Sequence, residues 1–168
     1  VKLALEYIDK GYGLKQTCKY NDQETTIEAY YRDGIGRYVA ENGIYTWTDA
    51  TKKKNGLDLA GQMLGKGWRL PTYREVEELL SNRFRPCYSP YSFGIQVQGR
   101  NGNSIFLPAS NIDLNVVAST NGQYWSSTPE TGMQGYASQF RFDQRGVYGG
   151  SNKIELKQSI RPVFDPYL

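Results

Sequence analysis

Short strand-like segments open the chain. Residues 1–8 are rich in apolar side chains with partial alternation, and residues 27–39 carry apolar and aromatic side chains on both sides of Asp33 and Gly34. An Asp-Gly pair between two such segments is typical of a β-hairpin. Because no linker rich in Pro, Ser or Gly follows, we assign residues 1–44 to the same domain as the rest, as N-terminal strands of uncertain role.

Two helices are predicted next. The first is indicated by apolar residues at helical spacing, namely Leu57, Ala60 and Leu64. Thr48 or Asp49 could cap its start, and Gly65 stands where a C-terminal cap would fall. Asn55 and Gly56 disfavour helix at the front of this segment, so the alternative is one short helix after a loop. The second helix is indicated by a capping box of Thr72 and Glu75, which is followed by an apolar stripe of Val76, Leu79 and Leu80.

The rest of the chain has the patterns of β-strands. Residues 95–98 and 104–107 predict a hairpin across a turn at 99–102. Further strands are predicted at residues 123–127, at 136–142 and, with interruptions, at 154–163. Strands, then two helices, then strands predict an α+β fold with two helices packed on antiparallel sheets, in a single domain of residues 1–168.

The composition is that of a globular protein. Hydrophobic residues make up 39% and charged residues 22%, and the net charge of +3 is too small to favour nucleic acid as a partner. The basic cluster at residues 52–54 is interpreted as a solvated surface. No apolar segment approaches the ~20 residues that a membrane-spanning helix needs. We therefore expect a chain that does not span a membrane, with any export signal or anchor upstream of Val1.

Histidine is absent from the sequence, which excludes His-based catalytic triads and most zinc sites. The two cysteines, Cys18 and Cys87, have no metal-binding spacing and lack the usual base of a Cys nucleophile. They form either one disulfide or two buried thiols. Gly149 and Gly150 lack the Lys-Ser/Thr partner of a phosphate-binding loop and are interpreted as a turn.

Several segments taken together resemble one known family. They are residues 45–50 (YTWTDA), 67–72 (GWRLPT) with Glu75, 106–109 (FLPA), 124–128 (YWSST) and 160–163 (IRPV). Over residues 45–163 this pattern resembles the Fibrobacter succinogenes major paralogous domain family and related surface proteins of gut bacteria. The resemblance implies a C-type lectin-like fold, with a more distant similarity to the formylglycine-generating enzymes.

We expect the residues of these motifs to hold the fold rather than to carry chemistry. Trp68 and Leu70 are interpreted as core residues, and Arg69 between them needs a carboxylate or carbonyl partner, for which Glu75 is a candidate. The residues assigned a structural role are Trp47, Trp68, Arg69, Leu70, Thr72, Glu75, Trp125 and Arg161.

An enzymatic role is not expected. The formylglycine-generating enzymes use paired cysteines, whereas Cys18 lies outside the matching region and far from Cys87 in sequence. A carboxylate pair of the glycosidase type, the least favoured alternative, would have to come from Asp49, Glu75, Glu77 and Glu78. The Glu-Pro-Asn and Trp-Asn-Asp motifs with which many C-type lectins bind Ca²⁺ are absent. We therefore expect no metal and no cofactor.

Recognition by a surface is the interpretation that remains. In folds of this type the C-terminal strands and loops commonly form the ligand face, which corresponds here to residues 127–157. Alternation within 136–142 places Phe140 and Phe142 on one face and Gln139 and Arg141 on the other. Tyr, Arg, Gln and Ser are typical of recognition surfaces. The predicted binding residues are Gln134, Tyr136, Gln139, Arg141, Asp143, Arg145, Tyr148 and Ser151.

The predicted function is therefore an extracellular adhesion or ligand-binding module, on a cell surface or a phage particle, that recognises a glycan or protein on a host or target cell. One alternative is a variable protein of a diversity-generating retroelement. This class also resembles C-type lectins and concentrates variation before a closing segment like residues 160–163. Another alternative is a structural pilus or tail module. Incorporation into a larger pilus, lipoprotein or tail assembly fits each of these.

Overall fold

The computed structural model describes residues 13–20, 23–30, 44–88, 93–98, 104–109, 121–143 and 145–164. The strands in these ranges are β1 (Gly13–Tyr20), β2 (Gln23–Tyr30), β3 (Ile44–Tyr45), β4 (Trp68–Arg69), β5 (Arg83–Tyr88), β6 (Phe93–Gln98), β7 (Ser104–Pro108), β8 (Gly122–Pro129), β9 (Tyr136–Phe142), β10 (Val147–Lys153), β11 (Gln158–Ser159) and β12 (Val163–Phe164). The helices are α1 (Trp47–Thr51), α2 (Leu59–Leu64) and α3 (Tyr73–Leu80).

The strands form three sheets within the described ranges. The first has the order β2-β1-β5-β6-β7 and is antiparallel throughout. The second has the order β10-β9-β8-β11-β3 and is antiparallel except between β8 and β11. Strands β4 and β12 form a short antiparallel pair. Mostly antiparallel sheets with a few helices confirm the α+β class, whereas the C-type lectin-like assignment stays a prediction.

The second sheet is buried on both faces. On β8, Tyr124 belongs to one apolar cluster together with Phe140 and Phe142 of β9, whereas the next residue, Trp125, belongs to a second cluster with Ala137. Because successive side chains of a strand point to opposite faces, the two clusters lie on opposite sides of the sheet. The first cluster includes side chains of α3, and the second includes side chains of α1 and α2.

Two tryptophans join β8 to the segment that contains β3 and α1. The fully buried indole of Trp125 donates a hydrogen bond to the carbonyl oxygen of Tyr45 at 2.8 Å. The indole of Trp47 donates in the opposite sense, to the carbonyl oxygen of Ser126 at 2.9 Å. Two segments that are 79 and 80 residues apart at these contacts are thereby fixed side by side, and the polar N–H group of each ring is satisfied where it is removed from water.

An ion pair fixes the start of α3. The guanidinium of Arg69 contacts both carboxylate oxygens of Glu75, with Nη1–Oε1 at 2.7 Å and Nη2–Oε2 at 2.9 Å. The same Oε1 accepts the backbone N–H of Thr72 at 2.9 Å, and the Thr72 hydroxyl accepts the backbone N–H of Glu75 at 3.3 Å. The capping box predicted from the sequence is therefore confirmed.

The charge of Glu75 is stabilised by these partners. Its side chain is partly removed from water, since the residue is only 9% exposed. Burial alone raises the pKa of Glu75, but the hydrogen bonds from Arg69 and Thr72 and the charge of Arg69 outweigh it, so that the pKa lies below its ordinary value of 4.5. The ionised carboxylate is therefore the form that the fold requires.

The segment of the first predicted helix contains two short helices, α1 and α2, which brings the described total to three. The alternative of one short helix after a loop describes α2, which carries Ala60 and Leu64. Helix α1 is capped by Thr46, whose hydroxyl accepts the backbone N–H of Asp49 at 3.2 Å. The expectation that Thr48 or Asp49 caps the helix is wrong, because both residues lie within α1. The helix starts earlier than the apolar spacing indicates because a hydroxyl is available at position 46.

A turn separates α1 from α2. Asn55 (φ 54°) and Gly56 (φ 78°) adopt the left-handed conformation, which interrupts a helix. Asp58 then caps α2 by accepting the backbone N–H of Gly61 at 3.1 Å. Helix α2 ends at Gly65 (φ 100°), which confirms the predicted C-terminal cap.

Several sequence expectations concern other parts of the chain. The predicted strand at residues 1–8 and the hairpin turn at residues 33–34 lie outside the described ranges. The hairpin of residues 95–98 and 104–107 is confirmed as β6 and β7. Cys18 lies on β1 and Cys87 on the neighbouring strand β5. The alternatives of one disulfide and of two thiols both stand, and the single-domain assignment stays a prediction. Among the described helices, none combines the length and the apolar character that crossing a membrane requires.

Replacing Glu75 by Gln is expected to destabilise the domain by about 2 kcal/mol, because Arg69 loses its charged partner in a partly buried site. Urea unfolding at neutral pH measures this loss. Glu78→Gln on the exposed side of α3 is the matched control, with an expected change below ~0.5 kcal/mol.

Because the folded-state pKa of Glu75 is lowered, the stability that this carboxylate adds is present above about pH 4.5 and is lost as the pH falls through the folded-state pKa. A difference that stayed constant into strong acid would contradict this origin.

Replacing Gly122 by Ala is expected to destabilise the domain by about 1–3 kcal/mol. Gly122 lies opposite Phe142 in the β8–β9 register, and an added Cβ would collide with that buried ring. Gly150→Ala on β10 is the control, because no described atom lies within 4 Å of an added Cβ there. Thermal unfolding of the two variants should separate them clearly, and equal midpoints would show that the Phe142 ring moves aside without cost.

Candidate functional site

The predicted ligand face centres on the hairpin of β9 and β10. Its register pairs Arg141 with Tyr148 and Gln139 with Gly150. Facing residues in an antiparallel pair share a face, and Gln139 in turn faces Trp125 on β8. All five residues therefore belong to the same face of the second sheet. Strand β10 pairs with only one described strand, so it forms an edge of this sheet.

Arg141 and Tyr148 form the exposed part of this face. The guanidinium carbon of Arg141 lies 5.5 Å from the centroid of the Tyr148 ring, which is a cation–π distance. Arg141 is exposed, and Tyr148 is 39% exposed despite its large apolar ring. The Tyr148 hydroxyl lies 3.4 Å from the position that a Cβ would take at Gly146, so the ring extends towards the hairpin turn. We call Arg141, Tyr148 and Gly150 the Arg141 surface.

The turn between β9 and β10 is held by Asp143. Its Oδ1 accepts the backbone N–H of Arg145 at 2.7 Å and that of Gly146 at 3.2 Å. The backbone N–H of Asp143 donates to the carbonyl oxygen of Gly146 at 3.0 Å. The carboxylate of this predicted binding residue is therefore engaged by its own turn. Arg145 is exposed at the same turn and adjoins the Arg141 surface.

The predicted outward position of Gln139 is wrong. The residue is only 6% exposed and shares its face with the buried Ala137 and Trp125. The alternation of β9 was expected to separate a core face from a solvent face, but this part of the sheet is covered on both sides. Arg141, two residues further along the same face, is the first residue that reaches solvent.

Three other predicted binding residues lie away from the Arg141 surface. Tyr136 and Ser151 belong by alternation to the opposite face, together with Phe140, and both are half-buried. Gln134 is exposed in the turn before β9, at the opposite end of this strand from Asp143. A strand of this length spans about 20 Å. The eight predicted residues therefore do not form one surface.

The predicted turn at Gly149 and Gly150 is wrong, because both residues lie within β10. At Gly149 a Cβ would collide with the hydroxyl of Tyr73 on α3, so the glycine permits the helix to pack against the strand. Burial, with the negative charges of Glu77 and Glu130, raises the pKa of this tyrosine, which keeps the packed hydroxyl protonated. The position of α3, which alternation along β10 does not reveal, explains the glycine at position 149.

The carboxylates proposed for a glycosidase pair are differently placed. Glu75 is bound to Arg69 and has a lowered pKa, which is opposite to what a general acid requires. Asp49, Glu77 and Glu78 are exposed. Within the described ranges, no three or more His, Cys, Asp or Glu side chains are grouped so that they could hold a metal ion.

A scan against protein-family models matches the Lcl C-terminal domain over residues 15–164. The chain belongs to the Lcl C-terminal domain family. The match begins within β1, so it includes N-terminal strands that lie before the motifs of residues 45–163. Searches of the curated proteins and of the solved structures found no significant match.

Membership of the Lcl C-terminal domain family supports a surface or ligand-binding module of the C-type lectin-like type. The sequence resemblance is therefore supported at the level of the family. The more specific resemblance to the Fibrobacter succinogenes major paralogous domain stays a prediction. The family motifs and the Arg141 surface are separate parts of the second sheet. On the face that both share, the motif residue Trp125 is buried, whereas Arg141 is exposed.

Replacing Asp143 by Ala is expected to loosen the β9–β10 turn by about 1 kcal/mol, because two backbone N–H groups lose their acceptor. Asp143→Asn keeps an acceptor oxygen and should stay close to the unchanged protein. Hydrogen exchange at the amides of Arg145 and Gly146 measures the difference. Equal exchange in both variants would show that the turn does not depend on this side chain.

Proposed function

We propose that this Lcl C-terminal domain is an extracellular adhesion or ligand-binding module with a C-type lectin-like fold. It binds a glycan or protein on a host or target-cell surface through the Arg141 surface. The observation that carries this proposal is the exposed pair of Arg141 and Tyr148, held 5.5 Å apart on the edge of the second sheet. The proposed location is extracellular, on a cell surface or a phage particle.

The chemistry of the pair suits recognition. An exposed tyrosine ring offers a large apolar contact that can stack on a sugar ring or an aromatic side chain. No ion pair joins Arg141 to a carboxylate in the described part of the chain, and Asp143 is occupied by its turn. The guanidinium N–H groups therefore suit the carboxylates or hydroxyl oxygens of a ligand.

The platform under the pair is already ordered. Phe140 and Phe142, which alternate with Arg141 along β9, are buried, and the Phe140 ring stacks on Tyr124 with centroids 5.0 Å apart. A ligand therefore does not have to order the hairpin, which reduces the entropic cost of association. A small site of this kind would bind weakly on its own, and display of many copies would raise the apparent affinity.

A variable protein of a diversity-generating retroelement is the second candidate. It is favoured by the exposure of Arg141, Arg145 and Tyr148, since side chains at such positions can be exchanged without disturbing the core. It would use the same surface, and a comparison of the 3′ end of the gene with a nearby near-copy would separate the two. Incorporation into a larger pilus, lipoprotein or tail assembly is compatible with both.

Binding of the purified domain to an array of glycans and host-matrix proteins tests the proposal. The double variant Arg141→Ala/Tyr148→Ala is expected to lose about 30- to 700-fold in affinity, since interface residues of this kind each contribute roughly 1–2 kcal/mol. The matched control is Met133→Ala/Leu156→Ala, which removes two apolar side chains that are 47% and 45% exposed outside the Arg141 surface. EDTA is expected to have no effect.

The outcomes separate the alternatives. Binding that survives the double variant and is lost in the control would place the site near Gln134 and Tyr136 instead. Binding that EDTA abolishes would indicate a metal-dependent lectin mechanism. Failure of the unchanged domain to bind any member of the array would favour a structural pilus or tail module.

A further inference from the structure

Gln139 is a buried polar side chain with an unpaired atom. Its Oε1 accepts no hydrogen bond from any residue that the structure describes, and the residue is only 6% exposed. A buried acceptor without a partner lowers the stability of a fold. The residues beside it on the same face, Trp125 and Ala137, are apolar. An apolar side chain of similar size would therefore suit the fold better, and the folded structure alone gives no reason for the amide.

The strand next to Gln139 leaves room for a ligand. Gly150 lies directly opposite it in the β9–β10 register and is exposed. No described atom approaches within 4 Å of the position that a Cβ would take at Gly150. The open position at Gly150 therefore lies beside Gln139 on the face of Arg141 and Tyr148, whereas Oε1 itself is shielded from solvent in the folded domain.

We propose that the Gln139 amide oxygen is a specificity-determining acceptor of the Arg141 surface. The ligand class is one that carries a hydrogen-bond donor, a hydroxyl or an amide N–H, next to the group that stacks on Tyr148. The donor enters beside Gly150, and the Gln139 side chain turns towards it so that Oε1 accepts its hydrogen bond. This inference rests on the proposed function of the Arg141 surface. A ligand without the donor leaves the oxygen unpaired, as it is in the free domain, and therefore binds more weakly than a ligand that forms this hydrogen bond where water is excluded.

Gln158 provides an internal comparison. It is fully buried, and neither Oε1 nor Nε2 has a hydrogen-bond partner within the described ranges. It lies on β11, which is separated from β9 by β8, and it faces Tyr45 rather than an exposed glycine. The two glutamines thus share their burial and their unpaired oxygen, but only Gln139 lies beside the gap at Gly150.

Thermal unfolding of Gln139→Met and Gln158→Met tests the first part of the inference without any ligand. Methionine keeps the length of the side chain and removes the unpaired amide. The midpoint of Gln139→Met is expected to equal that of the unchanged domain or to rise by roughly 2–4 °C. A clear fall of the midpoint would overturn the inference, because it would show that the amide is hydrogen-bonded in the folded domain and serves stability.

Titration with methyl β-D-galactopyranoside, methyl α-D-mannopyranoside and N-acetyl-D-glucosamine tests the second part. Side-chain NMR signals of Arg141, Tyr148 and the Gln139 amide are followed in the unchanged domain. We expect all three to shift with the same probe and Gln139→Met to weaken its binding about tenfold or more. Gln158→Met should bind within about twofold of the unchanged domain, and Gly150→Val, which fills the gap, should abolish binding.

The results distinguish this inference from the proposed function. Shifts at Arg141 and Tyr148 without a shift at the Gln139 amide overturn the inference and keep the proposed site. Equal weakening by Gln139→Met and Gln158→Met also overturns it, because the effect would then follow from a general change in the core. Absence of shifts at all three residues with every probe overturns the inference for these sugars, whereas the proposed site is judged separately by the array.

Discussion

Burial of β8 on both of its faces is the constraint on which the rest of the structure depends. Tyr124 stacks on Phe140 on one side, and on the other side the indole of Trp125 donates to the backbone of Tyr45. A strand covered in this way leaves little of its sheet in contact with solvent. The exposed positions are displaced to the edge strand β10 and to the end of β9. Arg141 and Tyr148 are exposed because they lie beyond the residues of this sheet that the apolar clusters cover.

Much of the architecture could be predicted from local patterns. The capping box of Thr72 and Glu75, the β6–β7 hairpin and the α+β class all depend on residues close together in sequence or on simple alternation. The partner of Arg69 could also be proposed, because the motif places one carboxylate within reach. In each of these features, the two interacting groups lie close together in the sequence.

The rest depended on contacts between distant segments. The alternation along β9 predicts that Gln139 faces solvent. It is buried because the apolar cluster that contains Trp125 and Ala137 covers this face of the sheet. Gly149 and Gly150 have the composition of a turn, but the packing of Tyr73 against Gly149 places them in a strand. Neither of these contacts can be predicted from the residues that are adjacent in sequence. The eight predicted binding residues are therefore distributed over two faces and two ends of the β9–β10 hairpin.

The family motifs and the candidate site have different physical roles. Trp47, Trp125 and the pair of Arg69 and Glu75 lie in the layers that hold α1, α3 and β8 together. Arg141 and Tyr148 lie outside every motif that carries the family resemblance. Membership of the family therefore identifies the scaffold, and the ligand has to be argued from the site itself.

A polar side chain inside a doubly covered sheet conflicts with the pattern around it. Strands buried on both faces are usually apolar, so Gln139 and Gln158 each weaken the agreement between local sequence and fold. Such conflicts in natural proteins tend to mark functional positions, because selection for folding alone would remove them. For Gln139 the conflict coincides with an open position at Gly150 and an exposed aromatic–cation pair one step along the strand. For Gln158 it has no such neighbour, so burial alone is not what distinguishes the candidate site; the combination with an opening is.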